Sequence, residues 1–146
     1  MMQISMNLYP VDEEATRNAV EKYLLQAREY MVTEYIPVEP KYTPAYEARE
    51  HGRTNTVSSP TQNIAIINVD EAERRRKHRE RAEKAVGRLG TRHQKIIRMR
   101  YLEDDNVLDT DVAADLGYSP RHYRRMKSAA VYRLASSLGL MVFVEE

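Results

Sequence analysis

The chain has 146 residues, enough for one modest domain with an appended arm, and 42% of them are hydrophobic while none is cysteine. Disulfides, thiolate metal sites and cysteine nucleophiles are therefore excluded, and no apolar run approaches the roughly 18 residues of a membrane span. The net charge of +1 hides a segregation: residues 1–58 carry 6 Lys/Arg against 9 Asp/Glu, residues 59–101 carry 12 against 5, and residues 102–146 carry 5 against 8. A basic middle between mildly acidic ends suits a local footprint for phosphates better than general polyanion binding. The N-terminus lacks a basic region followed by an apolar one, so a cytoplasmic protein with no membrane partner is expected.

Residues 1–36 read as a short strand and an amphipathic helix. Residues 3–9 (QISMNLY) alternate loosely. Asp12 is placed to cap a helix whose positive end Glu13 and Glu14 favour, and Ile36-Pro37 ends it. Val20, Leu24, Ala27 and Met31 form a stripe widened by Tyr23 and Tyr30. Such a stripe is buried either on the chain's own core or against a second copy in a homodimer. Residues 37–58, with Pro37, Pro40, Pro44 and Gly52, read as a connector. Residues 59–88 read as a long basic helix opened by Ser59-Pro60-Thr61-Gln62, with Ile64, Ile67 and Ala72 on an apolar side. From 73 to 81 (ERRRKHRER) no apolar residue occurs. That stretch is either solvated or laid along phosphates, which makes Arg74, Arg75, Arg76 and Lys77 candidate phosphate contacts.

In residues 89–146, Thr91-Arg92-His93-Gln94 repeats the capping pattern ahead of Ile96, Ile97, Met99, Tyr101 and Leu102. The acidic loop 103–106 follows, with Asp109 or Thr110 as the next cap and Leu108 as a hydrophobic staple. The segment TDVAADLGYSPRHYRRMKSAAVYRL then has helix-turn-helix form. Ala113 sits where two helices cross closely, Gly117 can take the positive φ of the turn, and Ser119-Pro120 starts the second helix. Arg121, Arg124, Arg125 and Ser128 recur on one face of that helix, and Tyr123, Met126, Ala130 and Leu134 recur on the other. One face docks and the other can enter a major groove of double-stranded DNA. The tail from 140 to 144 (LMVFV) has strand composition and needs a partner, either residues 3–9 or a second subunit, so Val142 and Val144 join the dimer candidates. The expected fold is mainly α, a helix-turn-helix domain preceded by an amphipathic and a long basic helix, with short terminal β-strands.

Residues 89–134 resemble region four of bacterial sigma factors, on LGTRHQKIIRMRYLED followed by VAADLGYSPRHYRRMKSAAVYRL. In that family a capped helix ends in an Arg-Tyr pair, here Arg100-Tyr101, and a helix-turn-helix then reads the major groove. With YTPAYEAREHGRTNTVSSPTQ, NVDEAERRRKHRERAEKAV and the apolar-acidic tail, the chain from about residue 42 onward is similar to the ArpU family, phage and prophage regulators of late genes. The resemblance implies a small transcriptional activator acting upstream of packaging, morphogenesis or lysis genes in the bacterial cytoplasm. It would contact host RNA polymerase and not replace its promoter-recognition subunit. Arg121, Arg124 and Arg125 match outward positions that contact base edges or nearby phosphates, while Ser119 and Ser128 match positions near the backbone or groove edge. Thr110, His122 and Lys127 are further phosphate candidates. Pro120 stands where the sigma pattern often has a long polar residue, which removes one base contact.

No catalytic constellation stands out, and neither enzyme activity nor a cofactor is expected. His51, His78, His93 and His122 are scattered without metal-ligand spacing and read as surface residues. Asp104, Asp105, Asp109 and Asp111 lack the glycine and final glutamate of a calcium loop. Two other functions use the same parts: a DNA-recognition subunit of phage packaging machinery, and a protein-interaction module whose basic helix binds an acidic partner.

Overall fold

The computed structural model describes residues 10–39 and 60–145. The expected strand at 3–9, the Ser59 cap and most of the connector lie outside the described residues. The fold is mainly helical, with five α-helices among the described residues: α1 Glu13–Val32, α2 Pro60–Gly87, α3 Thr91–Ile97, α4 Asp109–Leu116 and α5 Pro120–Leu138. No described helix is long and apolar enough to cross a membrane.

Asp12 caps α1 by accepting a 3.0 Å bond from the Ala15 amide, and Glu13 and Glu14 occupy the first turn. The helix stops at Val32, earlier than the Ile36-Pro37 signal, because Thr33 turns extended and gives both its amide and its hydroxyl to the Glu29 carbonyl. Beyond it the Asn68 amide of α2 holds the chain, accepting from the Val38 amide at 2.9 Å and donating to the Val38 carbonyl at 3.1 Å.

The α1 stripe is consumed inside this chain. Val20, Leu24 and Ala27 are fully buried in one core with Ala82 and Val86 of α2 and Ala130 and Leu134 of α5. Small residues on both partners let the helices approach closely. Those three residues are therefore not a dimer interface. Met31 alone of the stripe is left open, at 43% exposure.

The second half of α2 supplies that core, while its charged stretch packs by other means. His78 stacks on Tyr23 with centroids 3.8 Å apart, and its Nε2 lies 3.0 Å from the Tyr23 carbonyl. The Arg75 guanidinium lies 5.0 Å from the centroids of both Tyr30 and Tyr35. Aromatic faces thus accept a stretch with no aliphatic side chain to offer, a third outcome beside solvation and phosphate contact. His78 is accordingly half-buried and not a plain surface residue. Near the start of α2 only Ile64 is partly covered; Ile67 is 56% exposed and Ala72 is open.

Three capping expectations are corrected. Thr91 is already helical, Gly90 is the cap residue, and the Gln94 side chain reaches back to the Leu89 carbonyl at 3.3 Å. Leu108 is itself the cap residue of α4 and is 61% exposed, so it is no staple. The first turn is closed by Asp111, whose carboxylate accepts from the Leu108 amide at 3.0 Å. Among the described residues the terminal pairing is one antiparallel bridge, Val11 to Phe143. The Val142 carbonyl accepts from the Asp12 amide at 2.8 Å, and the buried Thr16 hydroxyl accepts from the Val142 amide at 3.0 Å. Val142 is thereby tied within the chain, and so is the Val144 backbone, whose amide donates to the Pro10 carbonyl at 2.8 Å, although the Val144 side chain is exposed.

Candidate nucleic-acid interface

The helix-turn-helix is built by local chemistry. Gly117 adopts φ 73°, and the Tyr118 amide returns to the Ala113 carbonyl at 2.9 Å, closing α4 as a left-handed cap does. Ser119 accepts from the His122 amide at 3.1 Å and Pro120 takes the first helical position. Ile96, Val112, Ala113 and Tyr123 form a small second core beneath the turn.

On α5, Tyr123, Ala130 and Leu134 are buried, Met126 is partly covered, and Arg121, Arg124, Arg125 and Ser128 are exposed. No carboxylate lies within ion-pairing distance of those three arginines among the described residues. Thr110 is exposed in the first turn of α4. Ser119 is exposed too; with its oxygen accepting the cap bond, its hydroxyl proton is free to be donated. His122 is half-buried, edge-on to Tyr118 with centroids 4.9 Å apart. A cleft of about 650 Å³ between the first half of α1 and α5 has Arg17, Glu21, Arg124 and Ser128 among its lining, so α1 walls one side of the arginine face.

Lys127 departs from the sequence expectation. It is only 8% exposed, and its ammonium lies 3.0 and 3.1 Å from the two Asp109 oxygens and 3.5 Å from Glu21. It faces inward and is not a phosphate contact. The signal was present: Tyr123, Lys127, Ala130 and Leu134 recur at i, i+4, i+7 and i+11, the buried face. Asp109, expected as a cap, is the hub. It also accepts from the Tyr123 hydroxyl at 2.7 Å and the Arg100 guanidinium at 2.9 Å. Burial pushes its carboxyl up, but the bonds from Tyr123 and Lys127 and the charges of Lys127 and Arg100 outweigh burial and hold it below the ordinary range. Burial and the bond to Asp109 raise the Tyr123 phenol.

A π-helical turn, Arg98–Leu102, builds the adjoining part of this hub. Its closing bond runs from the Glu103 amide to the Arg98 carbonyl at 2.9 Å. The extra residue in the turn sends Arg100 to Asp109 and buries Tyr101, whose hydroxyl donates to Glu21 of α1 at 2.5 Å. Burial, then the Glu21 bond, raises the Tyr101 phenol strongly. The Arg-Tyr pair thus serves as a joint between α1, α4 and α5.

The basic run is less basic in space than in sequence. Arg74 and Arg75 share Glu71 at 2.7 and 2.8 Å, while Arg76 binds Glu73 and, at 2.7 Å, Glu80. Hydrogen bonds from Arg75 and Arg74 hold Glu71 low, and the bond from Arg76 does so for Glu73. Of the four phosphate contacts expected in this run, Lys77 alone has no carboxylate partner among the described residues.

Among the described residues, no group of three or more His, Asp or Glu side chains is placed to hold a metal ion. The chain is 28% identical over 103 residues to Protein Gp66 of Listeria phage A118, a stretch covering 70% of each chain. No family model matches the chain, and no solved structure matches it.

Proposed function

We propose that this chain is a sequence-specific regulator of transcription that binds double-stranded DNA through α5. The observation that carries the reading is the open edge of Arg121, Arg124, Arg125 and Ser128, on a helix whose opposite face is locked into the core. A guanidinium without a carboxylate partner keeps its paired donors for the O6 and N7 of guanine. Thr110 and Ser119 stand at the starts of α4 and α5, where hydroxyl and amide donors meet backbone phosphates.

The regulatory setting rests on two likenesses. Residues 89–134 resemble sigma region four and the longer segment resembles ArpU regulators, while the curated relative is a phage protein. The combined reading is a phage or prophage regulator that activates late genes by contacting host RNA polymerase. In vitro selection from a random duplex pool tests the DNA part. A short enriched motif is expected; a pool that stays unenriched at low salt overturns the reading. Transcription from a promoter carrying the motif, with and without the protein, tests the activating part, with a rise expected.

A further inference from the structure

Apart from Arg79, which stands off the line, the cations of α2 without an ion pair share one face, which Arg88 just past the helix end continues. Lys77, Arg81, Lys84 and Arg88 recur at i, i+4, i+7 and i+11, a single helical face, and all four are exposed. Among the described residues none of them lies within ion-pairing distance of a carboxylate. Glu71, Glu73 and Glu80 are taken by Arg74, Arg75 and Arg76, and Glu83 is held by Arg98 at 2.5 Å. The Arg81 guanidinium donates to the Leu138 carbonyl at 3.3 Å, where the negative end of α5 favours a cation. That bond sets Arg81 over a groove of about 380 Å³ between α2 and the end of α5, lined by Arg81, Lys84, Arg88 and Ser137 along with Ala85 and Leu138. Four larger clefts on the described surface each include a carboxylate; this groove has none.

We propose that the Lys77–Arg88 face of α2 is a second nucleic-acid site, one that holds the phosphodiester backbone without reading sequence and stands apart from the α5 arginine edge. The cations are strung out over about 16 Å, the rise of eleven helical residues, and do not converge on one point. At about 3.4 Å per nucleotide along a strand, that length follows roughly five nucleotides. An extended polyanion fits such a line better than a single phosphate. The groove offers no aromatic or open aliphatic pocket for the anchor residues of an acidic peptide, which favours nucleic acid over protein. Leu138 lies thirteen residues beyond Arg125, about 20 Å along α5. A major groove about 12 Å wide that takes the start of α5 leaves this face to the flanking duplex.

The site rests on the reading of the chain as a nucleic-acid binder but not on the recognition helix. The test is fluorescence anisotropy of the full chain on a 40-base-pair duplex, in a random sequence and in the selected sequence, between about 50 and 200 mM salt. The variant is K77Q/K84Q/R88Q, with Arg81 kept because it ties α2 to α5. Each residue is exposed, and circular dichroism checks the fold. The expected result is at least about tenfold weaker binding to both duplexes and a salt slope shallower by roughly 2 to 3, with the ratio of selected to random affinity unchanged. An unchanged slope overturns the site, as does a parent chain that binds polyglutamate through this face and no duplex. R124A/R125A is the separating control: loss of the affinity ratio there, with an unchanged slope in the triple variant, leaves the proposed function standing and removes only this site.

Discussion

Two arginine triplets invite comparison. Arg74, Arg75 and Arg76 are consecutive and stand out in the sequence, whereas Arg121, Arg124 and Arg125 are spread over little more than one turn and look modest. In space the ranking reverses. The consecutive triplet meets Glu71, Glu73 and Glu80 on its own helix, and Arg75 lies against Tyr30 and Tyr35. The spaced triplet has no carboxylate within ion-pairing distance among the described residues, and its helix buries Tyr123, Ala130, Val131 and Leu134 on the far side. A charge run becomes a field only where its cations are not already ion-paired with carboxylates.

The contrast is sharpest within α5, where Lys127 looks like one more member of its basic face. Removing the carboxylate hub with Asp109→Ala leaves the Lys127 ammonium buried without its main partner. We expect a loss of about 2–4 kcal/mol in urea unfolding, the lower range reflecting the partial exposure of Asp109. Lys127→Met, which keeps the packed stem, should cost less. Equal tolerance of both variants would mean that the hub is not buried in solution. By contrast, Arg124→Ala and Arg125→Ala should leave unfolding unchanged within about 0.5 kcal/mol while each weakening specific DNA binding by roughly 1–3 kcal/mol.

The hub also predicts an acid response. The Asp109 carboxyl is held below its unfolded value, so the stability it contributes is complete above the ordinary carboxylate range and drains away as pH falls below that range. Asp109→Asn should flatten that part of the stability curve, and parallel curves for parent and variant would contradict the assignment. The smallest effect is expected at the paired triplet. R74Q/R76Q should lower the salt slope of DNA binding by less than the triple Lys77, Lys84 and Arg88 variant does, since its charges are already offset within α2. A larger drop would restore the sequence-based view of that run.

Local features were legible in the sequence. The left-handed turn at Gly117, the Ser119 cap with Pro120 and the two faces of α5 depend on residues within one or two turns, and the structure places them as the spacing implies. The α1 stripe was also visible, but what covers it was not, because that depends on Ala82 and Val86 in a helix that reads as charged throughout its middle. Lys127 points to phosphate by residue type, whereas its spacing with Tyr123, Ala130 and Leu134 puts it on the buried face. The π-helical turn left no signal of its own: RMRYL continues an ordinary helical pattern, and the extra residue shows only in the hydrogen bond that closes it. The tail found its partner in residues 10–12, one step beyond the segment that alternates.

The central claim is that the open edge of α5 reads bases. The most direct measurement is the affinity of the parent chain and of Arg125→Ala for the selected site and for every single-base substitution of it. The variant is expected to lose discrimination at one or two base pairs, by about 1–3 kcal/mol there, and to keep the parent's preferences elsewhere. A variant with the parent's full pattern of preferences, or one weakened equally on every sequence, would contradict it.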